Sequence, residues 1–358
     1  MKLALISLGG DVSKIISEEA RKLFNEVEEI DIRKIEIRVE NNDVAVLYNE
    51  KPLPKFDCVY IRGSFRYALL QRAISFALKE ECYVPIAPSA YTIAHDKFLT
   101  MIELSKSKIS VPRTYFAATT KQAKRVLEEV NYPVILKIPS GTQGKGVMSA
   151  DSVSSAKSML DTLEVFNQPY LIQEFIDTDA TDIRAIVAGD EVVACMKRKG
   201  RGGEIRSNIH QGGIGMPFEM DYDTERLAIR AAKAVKADIC GVDLLEGINK
   251  SMVIEVNLSP GLKGITAATK DNVAAKIANF LFEEAKRVKS ENLEAKNLIK
   301  DNKIEADKEL IVNLDVKAGR IRLPGEITKI TKFNSDDEVV LVADKGKLEI
   351  REIGVKKE

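Results

Sequence analysis

Apolar and polar positions follow two rhythms along this chain, and the balance between them shifts past residue 110. Over the first ninety or so residues, strand-like and helix-like runs alternate in the manner of a small α/β unit. "KLALISL" is almost continuously apolar and reads as a buried strand, while "VSKIISEEARKLFNEV" repeats its apolar residues at helical spacing. "DCVYIRG" and "YALLQRAISFALKE" repeat the strand and helix pair. "AYTIAHDKFLTMIELSKSK" predicts a further helical stretch with Ser89 or Asp96 placed to start it, and "VPRTYFA" returns to strand behind Pro112.

Strand signals dominate next. "PVILKI" runs into a glycine-rich loop, "PSGTQGKGV", and "YLIQEFI" follows a helical stretch. "DIRAIVAGDEVVACMKRK" predicts a hairpin turning at Gly189 and Asp190, and "ICGVDLLEG" with "MVIEVN" predicts a second across "INKS". Strict alternation in the last run places Met252, Ile254 and Val256 on one face and Val253, Glu255 and Asn257 on the other. A carboxylate and a carboxamide therefore emerge from an apolar segment, where unpaired polar groups are costly. "VAAKIANFLFEEAKRV" predicts a helix, and Lys289 to Lys308, dense in both charge signs, reads as an exposed helical or flexible linker. The runs "ELIVNLDV", "GRIRLPGEI", "DEVVLVAD" and "GKLEIREI" then predict a separate all-β module, and no long-period repeat is visible.

Composition narrows the function classes. The chain has 358 residues, room for two or three domains, with 54 basic residues against 54 acidic ones. With no net charge, a charged partner must be recognised by a local patch. The four cysteines form no CxxC pair and there are only two histidines, which argues against a zinc site or a disulfide framework and for a reducing cytoplasm. "MKLALISLGG" is too short an apolar run for a signal peptide, and no stretch reaches membrane-spanning length. The expected location is cytoplasmic.

Three stretches carry candidate chemistry. Asp243 on one strand of the second hairpin can lie across from Glu255 and Asn257 on the other, an all-oxygen set that suits Mg²⁺ bound together with substrate phosphates. Pairing of the same carboxylates with nearby lysines is the plainer alternative. "SGTQGKG", with Gly141 and Gly144, can bring backbone N–H groups to phosphate oxygens. It lacks the P-loop pattern, "SLGGDVS" lacks the dinucleotide fingerprint, and a simple hairpin turn stays equally open. Lys137, charged within "VILKI", calls for an anion such as a nucleotide phosphate unless it faces solvent from an edge strand. The basic run with Lys197, Arg198, Lys199, Arg201 and Arg206 suits an anion site for ATP and a carboxylate substrate better than nucleic acid, because no aromatics interleave for base stacking. His210 is assigned no chemistry.

Together, "ILKIPSGTQGKGV", "QEFI", "DIRAIVAGDEVVACMKR", "IRSNIHQGG", "GVDLLEG" and "VIEVNLSPGLKGI" resemble, in order and spacing, the ATP-grasp ligases. The likeness covers roughly residues 1 to 285 and is strongest to the RimK-like branch, which joins an amino acid, usually glutamate, to an acceptor carboxylate. The fold class it implies is α/β and α+β. An N-terminal α/β pre-ATP-grasp domain would span 1–95 and an ATP-grasp domain 96–288, with subdomains of about 96–175 and 176–288. A charged linker at 289–308 and a β module at 309–358 would follow.

By the same resemblance Lys97 and Lys137 would meet the phosphates of ATP, Glu174 and Phe175 the adenine, and Asp182 the ribose, with Gly141, Gly144 and Gln173 also in the nucleotide site. Arg206, Ser207 and Asn208 would line the transferred phosphate, with Arg206 the catalytic residue stabilising charge on the phosphate and the tetrahedral intermediate. Asp243, Glu255 and Asn257 would hold Mg²⁺ or Mn²⁺. The implied chemistry is attack of the acceptor carboxylate on the γ-phosphate, then displacement of phosphate by the amine, and it needs positioning rather than a protein nucleophile.

Gln211 departs from the several relatives that carry a basic residue there. The acceptor would be a protein C-terminus or a coenzyme tail. A same-fold ligase using another amino acid or a carrier-protein acceptor is the first alternative, and a nucleotide-sensing DNA-binding regulator is one of a different class. The tail resembles the AbrB-like swapped-hairpin module, which implies a homo-oligomer with a dimer contact there. DNA contact through Arg320 and Arg322 is the lesser possibility, and an unrelated β cap stabilising the assembly is as open as the resemblance.

Overall fold

The computed structural model describes residues 1–41, 43–138, 146–166, 169–200, 214–301, 315–317, 320–322, 327, 331, 339–344 and 347–352. Two compact units divide it, Met1–Val288 and Lys289–Glu358.

The first unit opens with β1 (Lys2–Ser7), α1 (Asp11–Ala20) and β2 (Glu26–Asp31). β1 is buried from Leu3 onward, as a strand covered on both faces must be. It runs parallel to β2 and to β6 (Cys58–Ile61), in the order β2-β1-β6. The predicted helix over 12–27 is thus too long. It stops at Ala20, and Glu26–Asp31 pairs in register with β1 instead, the sheet overriding the helical spacing. Between β2 and β6 lies a three-stranded antiparallel sheet of β3 (Ile35–Glu40), β4 (Asp43–Tyr48) and β5 (Lys51–Pro52).

α2 (Ala68–Leu78) buries Gln71, Ile74, Ser75 and Leu78. Gln71 is 1% exposed, and among the described residues neither atom of its carboxamide has a partner. Such an amide costs roughly 1–3 kcal/mol. Gln71→Leu is therefore expected to raise the urea midpoint, by about 1–2 kcal/mol of stability; an unchanged or lower midpoint contradicts this account.

The single helical stretch expected over 90–108 is two helices, α3 (Pro88–Ala94) and α4 (Lys97–Lys106). The break is made by Asp96, whose Oδ1 accepts from Phe98 N at 2.8 Å and Leu99 N at 2.9 Å and so caps α4.

β7 (Thr114–Tyr115), α5 (Thr120–Glu129), β8 (Val134–Lys137), β9 (Val147–Ala150), α6 (Val153–Val165) and β10 (Leu171–Glu174) follow. The strands form a sheet ordered β7-β10-β8-β9, backed by α5 and α6 around a core of its own that includes Leu127, Leu136, Leu160 and Ile172. β8 lies inside that sheet, so the edge-strand reading of Lys137 falls away.

β11 (Thr181–Ala188) and β12 (Glu191–Lys199) form the first expected hairpin. Gly189 takes φ +63° in its turn, and a Cβ there would come within 2.5 Å of the Phe280 ring. β13 (Ile214–Pro217), α7 (Tyr222–Val235), β14 (Ile239–Glu246) and β15 (Ser251–Asn257) complete a sheet ordered β13-β12-β11-β14-β15. One face, with Ile183, Ala185, Val242 and Leu244, belongs to the core that takes in Ala228, Ala231 and Val235 of α7. The opposite face carries the charged residues described below.

The expected faces of β15 need correction. Asp243 pairs with Glu255 and Leu244 with Val253, leaving Ile254 as an extra residue, and the buried positions are Val253 and Val256. A bulge at Ile254 reverses the alternation, so Val253 joins the core while Glu255 turns to the other side.

α8 (Lys263–Thr269) and α9 (Val273–Asp301) follow. α9 carries helix into the charged segment through Asp301. In the second unit the described strands are β16 (Asp315–Lys317) paired with β17 (Arg320–Arg322), and β18 (Val339–Asp344) paired with β19 (Lys347–Glu352). No described helix is long and apolar enough to cross a membrane.

Candidate active site

Sheet register assembles a row of charges. Asp182 and Arg184 sit two apart on β11 and share a face; Asp182 stands opposite Arg198 of β12, and Arg184 opposite Asp243 of β14, which is itself opposite Glu255 of β15. Arg184 grips Asp243 with two hydrogen bonds, Nε to Oδ1 at 2.7 Å and Nη2 to Oδ2 at 2.6 Å. Arg198 grips Asp182 in the same way at 2.6 and 2.5 Å and reaches Asp243 Oδ2 at 2.9 Å. Asp182, Arg198 and Asp243 are each more than nine-tenths buried.

Those pairings set the carboxyls apart. Burial alone would raise the Asp243 carboxyl, but the Arg184 and Arg198 guanidiniums overcome it and hold it well below the usual carboxylate range. Glu255 is pushed up, first by burial and then by the neighbouring Asp243 charge, against the pull of Lys97, Arg184 and Lys137.

Two lysines face Glu255 from other elements. Lys97 is the first residue of α4, and burial lowers its ammonium against the opposing attraction of Glu255. Lys137 ends β8; burial takes its ammonium down to about 8, with Glu255 opposing and Lys97 adding to the fall. Lys137 Nζ donates to Gln173 Oε1 at 2.6 Å, and Gln173 Nε2 donates to Thr114 Oγ1 at 2.7 Å. Lys97 and Lys137 thus approach Glu255, while Arg184 and Arg198 take up Asp182 and Asp243.

Asp243, Glu255 and Asn257 are all hard oxygen donors, the kind a divalent cation takes, although both oxygens of Asp243 are held by Arg184 and Arg198 in this structure. Asp243 and Glu255 lie side by side with a repulsion that such a cation would relieve, and Asn257 stands at the end of the same strand with Oδ1 accepting from Ser259 N at 2.9 Å. Among the described residues no three of His, Cys, Asp and Glu gather as a metal nest. The two carboxylates and the amide would therefore leave coordination positions for other oxygens.

The other expected residues fall into three groups. Glu174 ends β10, where its carboxylate accepts from Arg113 N at 2.8 Å, and Phe175 follows half-buried. Asp182, expected at a ribose, is held by Arg198. Gly141, Gly144, Arg206, Ser207 and Asn208 lie outside the described residues. The basic run is less free than its composition implied, since Lys197 pairs with Glu246 and Lys199 with Asp179. Arg184 was missed; its only local signal is a charge in register with Asp182 along an apolar strand.

A family model described as the RimK-like ATP-grasp domain matches residues 94–281. The probable alpha-L-glutamate ligase 2 of Pseudoalteromonas atlantica is 34% identical over 298 residues, covering 80% of this chain and 97% of that protein. The probable alpha-L-glutamate ligase of Mannheimia succiniciproducens is 42% identical over 195 residues, covering 54% and 65%. The solved structure of the ATP-grasp ligase PsnB complexed with minimal precursor, Mg and ADP shares the fold at 17% identity and a TM-score of 0.63, covering 80% of this chain and 98% of that one. With the family model matching more than half of the chain and a relative aligned over nearly its whole length, the chain belongs to the RimK-like ATP-grasp family and is an ATP-dependent ligase that forms a carbon–nitrogen bond.

Proposed function

We propose that the chain joins an amino acid, L-glutamate, to an acceptor carboxylate through an acyl phosphate, using ATP with Mg²⁺. The observation that carries this is the row Arg184–Asp243–Glu255, met by Lys97 and Lys137: hard oxygens for a cation beside ammonium groups for phosphates. Two named relatives are probable alpha-L-glutamate ligases, which supports glutamate. The fold neighbour holds Mg, ADP and a precursor, which supports the cation and an acceptor carboxylate on a peptide.

In this reading Lys97 and Lys137 neutralise the phosphates as ADP departs, and the Lys137–Gln173 hydrogen bond holds the ammonium in place. Asp243, Glu255 and Asn257 would hold the cation, which when bound would supply charge neutralisation for the phosphates. An acceptor carboxylate oxygen bonds to the γ-phosphorus as the bridge to ADP breaks; the amine then bonds to the acyl carbon, phosphate leaves, and the amine gives up its proton. Arg206 would stabilise the oxyanion, with Ser207 and Asn208 on the transferred phosphate and Gly141 and Gly144 over the others. In β18 of the tail, Leu341 is 62% exposed and Val342 45%, which supports self-association there.

The test is ADP release with ATP and Mg²⁺ across a panel of amino acids and peptide acceptors. Release is expected only when both partners are present, with glutamate the best donor and a product one glutamyl residue heavier than the acceptor. ADP release that needs no amino acid contradicts the proposal.

A further inference from the structure

Arg62 directly follows β6 at the carboxyl end of the parallel sheet, where its N–H donates to Ile6 O at 2.8 Å. It is 5% exposed. Nη1 donates to the Tyr60 hydroxyl at 2.9 Å and Nη2 to the Pro260 carbonyl at 2.8 Å. Both acceptors are neutral, and among the described residues no carboxylate makes an ion pair with it. A guanidinium has five N–H donors and a fixed charge, so two neutral contacts leave a buried cation short of both hydrogen bonds and counter-charge.

Its position relates that deficit to the ligase site. Gly63 N donates to Ser259 Oγ at 3.0 Å, and Ser259 N donates to Asn257 Oδ1 at 2.9 Å, so two hydrogen bonds lead from the peptide next to Arg62 to the end of β15. The loop after β1 comes to the same region, because Asp11 pairs with Lys263 at 2.5 Å. Gly9, Gly10 and Gly261, in these two loops, each face open space, with nothing within 4 Å of where a Cβ would stand. Ligands of open α/β sheets sit at the carboxyl ends of the strands.

We propose that Arg62 binds the non-reacting carboxylate of the amino acid that supplies the amine, a proposal that rests on the ligase reading above. The carboxylate to be phosphorylated must reach the transferred phosphate in the ligase site. The amine donor brings a carboxylate that must instead stay ionised and out of reaction. The three unused N–H groups of Arg62 suffice for a two-point contact with it, and that contact would aim the amine toward the acyl phosphate.

The experiment compares kcat/KM for glutamate and for its two monoamides, glutamine and isoglutamine, at saturating ATP and acceptor. Wild type is expected to prefer the diacid over one monoamide by about 30-fold or more. Arg62→Gln should bring that ratio to within about threefold of unity, and Arg62→Lys should lower it roughly tenfold, with KM for ATP little changed in either. Tyr60→Phe, which removes a neutral partner and leaves the charge, should keep the wild-type ratio. Should Arg62→Gln fail to fold, the Arg62→Lys ratio decides. A wild type that needs an amino acid but whose Arg62 variants keep its ratio overturns the Arg62 assignment alone; a wild type that releases ADP without any amino acid overturns the ligase reading and this proposal with it.

Discussion

Glu255→Gln is expected to lower kcat by roughly a thousandfold or more while leaving the protein at least as stable as wild type. A unit charge about 4 Å away at a partly shielded site is worth about 4 kcal/mol, which is near three decades of rate. The stability half follows from the raised Glu255 carboxyl. A carboxyl raised on folding binds its proton more tightly folded than unfolded, so above the ordinary Glu value the folded state loses stability as pH rises, and a neutral amide removes that penalty. Asp243→Asn should differ. Its carboxyl is depressed by Arg184 and Arg198, so it contributes stability that is present above the ordinary Asp value and lost in acid. Removing it leaves the partly buried Arg184 without its two-point partner and the buried Arg198 with Asp182 alone, and should cost about 3 kcal/mol. Steady-state ADP release alongside urea melts of both variants checks the pair; a Glu255→Gln enzyme with near-normal turnover in Mg²⁺ contradicts the site.

The second large effect is on nucleotide affinity. Lys137→Met should weaken ATP binding about a hundredfold, the value of one buried charge-assisted contact. The wild type should also show a pH signature. With the Lys137 ammonium at about 8, a growing fraction of the free protein is neutral there above that pH. Phosphates favour the charged form, so binding near pH 8 should take up a proton and affinity should fall as pH rises beyond it. Calorimetry in two buffers of different ionisation enthalpy reads the uptake directly. Lys137→Met should abolish it; equal uptake in the variant assigns the proton to another group.

Much of this was legible from local pattern. The two hairpins followed from alternation and short turns, the Gly189 turn fell where glycine stood, and Lys137 announced itself as a charge in an apolar strand. What stayed hidden depended on pairing across the chain. The bulge at Ile254 exists only because Asp243 opposes Glu255 while Leu244 opposes Val253, a two-against-one count that no single strand displays. Glu26–Asp31 became strand because β1 offered it a parallel partner. Arg184 gained meaning only when β14 settled beside β11, which put Asp243 across from it. Alternation in "IEIRVE" and the apolar run in "DVAVLY" do signal β3 and β4, which a small parallel α/β unit has no place for.

A titration of the wild-type chain with a non-hydrolysable ATP analogue, once with Mg²⁺ and once with a chelator, addresses most directly whether these residues form one nucleotide and cation site. Saturable binding at least about tenfold tighter with Mg²⁺, and a Glu255→Gln variant without that gain, is the predicted result. No uptake of the analogue, or the same affinity with and without the cation, would contradict it.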